Sequence, residues 1–139
     1  MDAAIEQMRQ RWPEREYRGA AAVYLDDGRI LSSVALDNIN AGVGLCHETG
    51  AFCQAYTLDR RVTASVCVCE MPDGQIVVLA PCGICQERLA LWGPDVEVAV
   101  ADPDDPTAWQ ARTLAEVNPH YWAREFTERR WPTLAEHTE

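Results

Sequence analysis

Residues 62–101 read VTASVCVCEMPDGQIVVLAPCGICQERLALWGPDVEVAVA, and this stretch decides the architecture. Over Val62 to Cys69, Val66 and Val68 alternate with Cys67 and Cys69, the two-residue period of a strand with two distinct faces. Pro72-Asp73-Gly74 is a turn, after which Gln75 to Ala80 reads as a short apolar strand. A helix is predicted from about Cys82 to Trp92. Gly93-Pro94 ends it, a cap residue followed by one that cannot continue a helix. Val96 to Ala101 is a strand again. Strands alternating with a helix bury their apolar sides by layering the helix on a sheet.

The flanking sequence extends that layer. Upstream, Gly19 to Leu25 and Arg29 to Leu36 are β-type runs joined by Asp26-Asp27-Gly28, a strong hairpin signal. Before them, Ala4, Ile5, Met8 and Trp12 recur at helical spacing until Pro13, which predicts a helix over residues 2–12. Asp37 to Gly44 is loop-like, and Leu45 to Leu58 has helical spacing of Leu45, Phe52, Ala55 and Tyr56. Downstream come a polar turn from Asp102 to Pro106, a last strand from Trp109 to Leu114, and a tail carrying Trp122, Phe126 and Trp131. The sum is an α/β domain with a mixed sheet. At 139 residues, the chain is the size of one domain spanning 1–139.

Composition narrows the function classes. Hydrophobic residues make up 47% and charged residues 24%, as in a folded globular protein. Acidic residues outnumber basic ones 22 to 12, a net charge of −10. That field repels phosphate backbones and anionic lipid, so neither nucleic acid nor membrane is an expected partner. No apolar run approaches the ~18 residues that span a bilayer. Met1 to Glu16 is charged throughout and lacks the core of a secretory signal, so a reducing, cytoplasmic compartment is expected. Six cysteines in such a compartment point to metal binding or chemistry before disulfides.

Two clusters carry that chemistry: Cys46-His47-Glu48 and Pro81-Cys82-Gly83-Ile84-Cys85. Each sits where a loop or strand runs into a predicted helix, whose free N–H groups favour thiolate. Three thiolates at two such junctions can hold Zn²⁺ tetrahedrally and leave its fourth position open, the mark of a catalytic site. Glu48, two residues beyond Cys46, is too near in sequence to be a convenient second ligand. It is placed to reach the water that the metal would make acidic. His or Cys two residues before Glu, followed by Pro-Cys-x-x-Cys, is a signature of zinc deaminases.

The chain resembles the small cytidine deaminases of the three-cysteine type, and their blasticidin S deaminase relatives. The resemblance runs from Tyr17 to Trp122. It includes Ala20-Ala21-Ala22, the Asp-Gly-Arg-Ile hairpin, Gly-Leu-Cys-His-Glu, Pro-Cys-Gly-Ile-Cys and Leu114-Ala115-Glu116-Val117-Asn118-Pro119. It implies a three-layer α/β/α sandwich with a five-stranded mixed sheet. It implies zinc ligands at Cys46, Cys82 and Cys85, and a proton shuttle at Glu48 for hydrolytic deamination of a free cytosine nucleoside. The His47 N–H would hold the pyrimidine carbonyl, the Ala80 carbonyl would face the departing amine, and Tyr17 would stack near the base. It also implies a homo-oligomer, a tetramer first and a dimer second, in which Tyr121 and Trp122 enter a neighbour's pocket.

Three departures stand out. Where the family carries Asn-x-Glu to grip the ribose, the usual spacing places Ala35 and Asp37; a deletion would instead place Asn38 and Asn40. Blasticidin-type members depart at the same place, which implies a modified sugar or a non-nucleoside as the alternative substrate. The arginines often found after the catalytic Glu and after the last Cys are Thr49 and Gln86. His47 stands where Ala is common; its imidazole could act as a donor near the cluster, but a solvated or hydrogen-bonded helix residue is the more common role for such a histidine.

Plainer readings remain open. The cysteines could be buried small hydrophobes, Cys82 and Cys85 a redox dithiol, or the cluster a structural zinc site. The last would need a fourth ligand from Cys53, His47, Cys67 or Cys69. Otherwise Cys53, Cys67 and Cys69 are expected to pack in the core. The tail aromatics could equally cover the sheet of their own subunit.

Overall fold

The structure, a computed structural model, describes residues 1–105 and 107–132; Pro106, in the predicted polar turn, and residues 133–139 lie outside it. The elements run α1 (Asp2–Arg11), β1 (Arg18–Leu25), β2 (Ile30–Ser33), α2 (Thr49–Thr57), β3 (Val62–Glu70), β4 (Ile76–Leu79), α3 (Gly83–Leu89), β5 (Glu97–Ala101), β6 (Trp109–Thr113) and α4 (Leu114–Val117). Single 3-10 turns cover Ala41–Val43, Ala90–Trp92 and Trp122–Phe126. Among the described residues, no helix is long and apolar enough to cross a membrane.

One mixed sheet forms the middle layer, ordered β2-β1-β3-β5-β6 with β4 also on β3. It has six strands where the family resemblance implied five; the addition is the four-residue β4, one of the runs legible in residues 62–101. Strand β3 is the axis. It pairs antiparallel with β1 along most of its length, with Gly19 opposite Cys69 and Val23 opposite Ser65. Cys67–Glu70 pair antiparallel with β4, whereas Ala64 and Ser65 pair parallel with Glu97 and Val98 of β5. β4 therefore ends at Leu79, opposite Cys67. The chain leaves there through Ala80-Pro81 into α3, crosses over and returns as β5.

The two faces of the sheet are covered separately, giving the expected sandwich. On one, Val23, Leu25, Val62 and Val98 pack with Phe52 of α2 and Leu89 of α3. On the other, Ala20, Ala22, Val68 and Val78 receive Ala4 and Met8 of α1. Because both faces are covered, β1 is buried without interruption from Gly19 to Val23, and its alanines let both layers approach closely.

Element ends moved where a specific bond intervened. Helix α2 begins at Thr49, not Leu45, because Leu36 and Leu45 exchange N–H···O bonds of 3.1 and 3.0 Å that hold the chain extended up to Cys46. β2 stops at Ser33 rather than Leu36. The predicted helix to Trp92 keeps its extent, but its last turn tightens to 3-10 before Gly93 at φ 106°. Leu114 starts α4 instead of ending β6, because Thr113 and Glu116 form a reciprocal capping box.

Glu70, at the end of β3, accepts from Arg18 Nε at 2.8 Å and pairs with Arg9 of α1 at 3.4 Å. Arg18 also donates to the carbonyls of Trp12 and Pro13, at 2.7 and 3.0 Å, fastening the segment after α1 to the sheet. The Arg18 guanidinium holds the Glu70 carboxyl below its ordinary value of 4.5. A lowered carboxylate stabilises the fold above its unfolded value and loses that contribution as pH falls through the folded one. Glu70→Gln should therefore cost about 1–2 kcal/mol near pH 7 in chemical denaturation. The deficit should shrink as pH falls through the lowered folded value, where the parent's carboxyl also becomes protonated.

Candidate active site

The segment Cys46-His47-Glu48 lies between the Leu36–Leu45 bridge and α2, and β2 holds it in place. Ser33 Oγ donates to the His47 carbonyl and accepts from the Ala51 N–H at 3.0 Å, so a strand residue serves as the cap that α2 lacks locally. The approach is close: a Cβ at Gly50 would lie 2.9 Å from the Ser33 Cβ. Glu48 is the N-cap residue by position but makes no capping bond with its side chain. It is 5% exposed, so a carboxylate is buried beside the cysteines with its oxygens left to other uses.

Cys82 is the N-cap residue of α3, with extended backbone, and Cys85 lies in the first turn. The three sulfurs of Cys46, Cys82 and Cys85 fall within 4.8 Å of one another, and Cys46 Sγ to Cys82 Sγ is 3.7 Å. Two sulfurs bound tetrahedrally at about 2.3 Å from one zinc ion lie about 3.8 Å apart, so the spacing fits that ion. Among the described residues, no other Cys, His, Asp or Glu ligand atom joins the three. Cys53, His47, Cys67 and Cys69 thus supply no fourth ligand, and the donor set matches an open site better than a closed structural one.

The thiols differ in their surroundings. Burial raises Cys46, followed by its bond with Cys82, and burial raises Cys85, followed by the charge of Glu48. For Cys82 burial also pushes upward, but the Cys85 N–H, Cys46 and the Ile84 N–H together bring the thiol below its ordinary value. Cys46 and Cys85, which resist ionisation beside Glu48, are thiols whose ionisation a divalent cation would favour, and Cys82 is already the readier to ionise.

His47 takes the hydrogen-bonded role. Its Nδ1 accepts the Ala35 N–H at 2.9 Å, so that nitrogen is no donor, and burial lowers its pKa and keeps the ring neutral. The ring lies against β1, where a Cβ at Gly19 would be 2.7 Å from Nε2. Its role is to tie the end of β2 to the segment carrying Cys46 and Glu48.

The other predicted site residues are spread around this centre. Ala35 is the backbone donor to His47, and Asp37 is exposed and paired with Arg15 at 3.5 Å. Asn40 Oδ1 accepts the Gly42 N–H at 3.0 Å and caps a 3-10 turn, while Asn38 is exposed in the same loop. Tyr17 is exposed, and Ala80 is the exposed residue between β4 and Pro81. Tyr121 is buried in its own subunit, stacked on Trp131 at 4.4 Å, and so is not presented to a neighbour. Trp122 stays exposed, its indole N–H bonded to Glu87 at 2.9 Å. Cys67 is buried and Cys69 half-buried, but Cys53 is exposed on α2. Core packing, expected for all three, therefore fails for Cys53. Sequence reading missed Ser33, Gly19 and Arg88, whose parts depend on contacts across elements that no local pattern announces.

No family model matches the chain. The cytidine deaminase from Bacillus anthracis superposes with a TM-score of 0.82 at 38% identity, covering 91% of this chain and 89% of that one. The cytidine deaminase of Mycobacterium tuberculosis is 35% identical over 78 residues, so the match spans 55% of this chain and little more than half, 56%, of that relative. The blasticidin-S deaminase of Bacillus cereus is 24% identical over 105 residues, 72% of this chain and 75% of that protein. Sheet, crossover and cysteine spacing, with these likenesses, place the chain in the cytidine deaminase family.

Gly19→Ala should displace the His47 ring and cost about 1–3 kcal/mol of stability. Gly19→Ala combined with His47→Ala should recover only part of that loss in thermal melts, because the new Cβ would still lie 2.9 Å from the Val68 carbonyl oxygen.

Proposed function

We propose that this chain is a zinc-dependent hydrolytic deaminase of a free cytosine nucleoside, converting cytidine or deoxycytidine and water to the uracil nucleoside and ammonia. The observation that carries the reading is the convergence of three cysteine sulfurs within 4.8 Å beside a buried carboxylate. Kinship with cytidine deaminases and a blasticidin-S deaminase supports it.

Cys46, Cys82 and Cys85 would hold the ion, which would supply the Lewis acidity that makes a water molecule acidic near neutral pH. Glu48 would take a proton from the attacking water and give it to the ring nitrogen as the carbon–oxygen bond forms at the carbon bearing the amine. The same carboxylate would then move the proton of the new hydroxyl to the amine, so that the carbonyl forms as the carbon–nitrogen bond breaks and ammonia leaves. The His47 N–H bonds the pyrimidine carbonyl, the Ala80 carbonyl faces the departing amine, and Tyr17 stacks near the base. Ala35 offers no side-chain hydrogen bond to a ribose, which keeps a cytosine-containing antibiotic or modified nucleoside as the second reading. We further assign a homo-oligomer, a tetramer first, with exposed Trp122 at a neighbour's pocket, and a cytoplasmic role in pyrimidine salvage.

Purified protein should contain about one zinc per chain and turn cytidine into uridine with loss of ultraviolet absorbance and release of ammonia. Glu48→Gln should keep its zinc and lose about 10²–10⁴-fold in kcat. Retained zinc without turnover on a panel of cytosine compounds varied at the sugar would overturn the reading.

A further inference from the structure

Both positions where related sequences often carry arginine are engaged in a different way. Gln86 Nε2 donates to the Pro81 carbonyl at 2.9 Å and braces the bend that presents Cys82. Thr49 Oγ1 accepts from Arg88 Nη1 at 2.8 Å. Thr49 is buried, opens α2 and directly follows Glu48. Arg88 belongs to the last turn of α3, three residues beyond Cys85 and on a neighbouring part of the helix surface. Among the described residues, this is the one side-chain hydrogen bond that joins α2 to α3.

Ala51, Phe52 and Ala55 of α2 share one apolar core with Cys85 and Leu89 of α3. Beside that core lies a groove of about 450 Å³, whose lining includes Cys53, Tyr56, Leu91 and Trp92 as well as Thr49 and Arg88. The adjacent carboxylate does not draw Arg88 away. The oxygens of Glu87 already accept from Tyr121 Oη and Trp122 Nε1, each at 2.9 Å. A guanidinium is planar with several fixed donors, so it sets direction as well as distance.

We infer that Arg88, acting through Thr49, is the positioning residue that holds the Cys46–Glu48 segment at the correct distance from Cys82 and Cys85. An arginine reaching across from α3 thereby takes the place of the two that the sequence lacks. The kinetic part of the test rests on the deaminase reading above; the metal part does not.

Arg88→Met should release zinc to a chelator about 10–100-fold faster than the parent, the usual scale for a residue that orients metal ligands. Its kcat for cytidine should fall over the same range, with KM unchanged within about twofold, because substrate contacts remain. Thr49→Val, equal in volume but without the hydroxyl, should reproduce both effects, and Thr49→Ser should restore slow release. Melting temperatures identify any variant that fails to fold. If Arg88→Met does, the Thr49→Val and Thr49→Ser pair decides, since equal release rates for these two overturn the inference. So does parental zinc retention in a folded Arg88→Met. A parent that holds zinc but deaminates nothing overturns the proposed activity alone, leaving the release rates to decide this one.

Discussion

Three sulfurs from two separate segments must meet within a few ångströms, and that requirement governs much of the architecture. Cys46 comes from the segment before α2, and Cys82 and Cys85 from the start of α3. Neither segment can approach the other by itself. The sheet brings them together: β2, through Ser33, holds the first from one side, and β4 delivers the second from the middle of β3. Because β4 ends opposite Cys67, the bend at Ala80-Pro81 opens beside the buried centre of the sheet. A longer β4 would carry Cys82 past it.

The same economy of contact appears in the polar bonds. Ser33 uses one hydroxyl to satisfy a carbonyl before α2 and an N–H inside it. His47 uses one ring nitrogen to hold the end of β2. Neither side chain belongs to the cysteine cluster, yet each restrains the backbone that carries Cys46 or Glu48. Glu48 itself is buried and makes no capping bond with its side chain.

What was legible in the sequence follows from the range of the forces involved. Residues 62–101 declared strand, turn, strand, helix and strand, because alternation and Gly-Pro punctuation are local signals. Cys46, Cys82, Cys85 and Glu48 were legible because spacing at helix starts is local too. The start of α2 was misplaced because the Leu36–Leu45 bridge, a pairing across the intervening loop, outweighs helical spacing. The resemblance undercounted the sheet by one short strand that the residue pattern itself had supplied. The partners of His47 could not be read locally, because its surroundings are made by Gly19 of β1 and by Ala35 beyond the end of β2. Cys53 was misread as a core residue because α2 begins only at Thr49 and turns it outward.

The bridge between Leu36 and Leu45 also divides the chain into parts under unequal constraint. Residues 37–44 hang outside it, exposed and absent from both apolar cores. Lengthening such a loop costs little, since doubling its size adds only about 0.6 kcal/mol of closure entropy. Insertions and substitutions there can accumulate while the clamp isolates the cysteines and Glu48 from the change. The sequence of this loop is thus free to drift in evolution at a rate decoupled from that of the cluster.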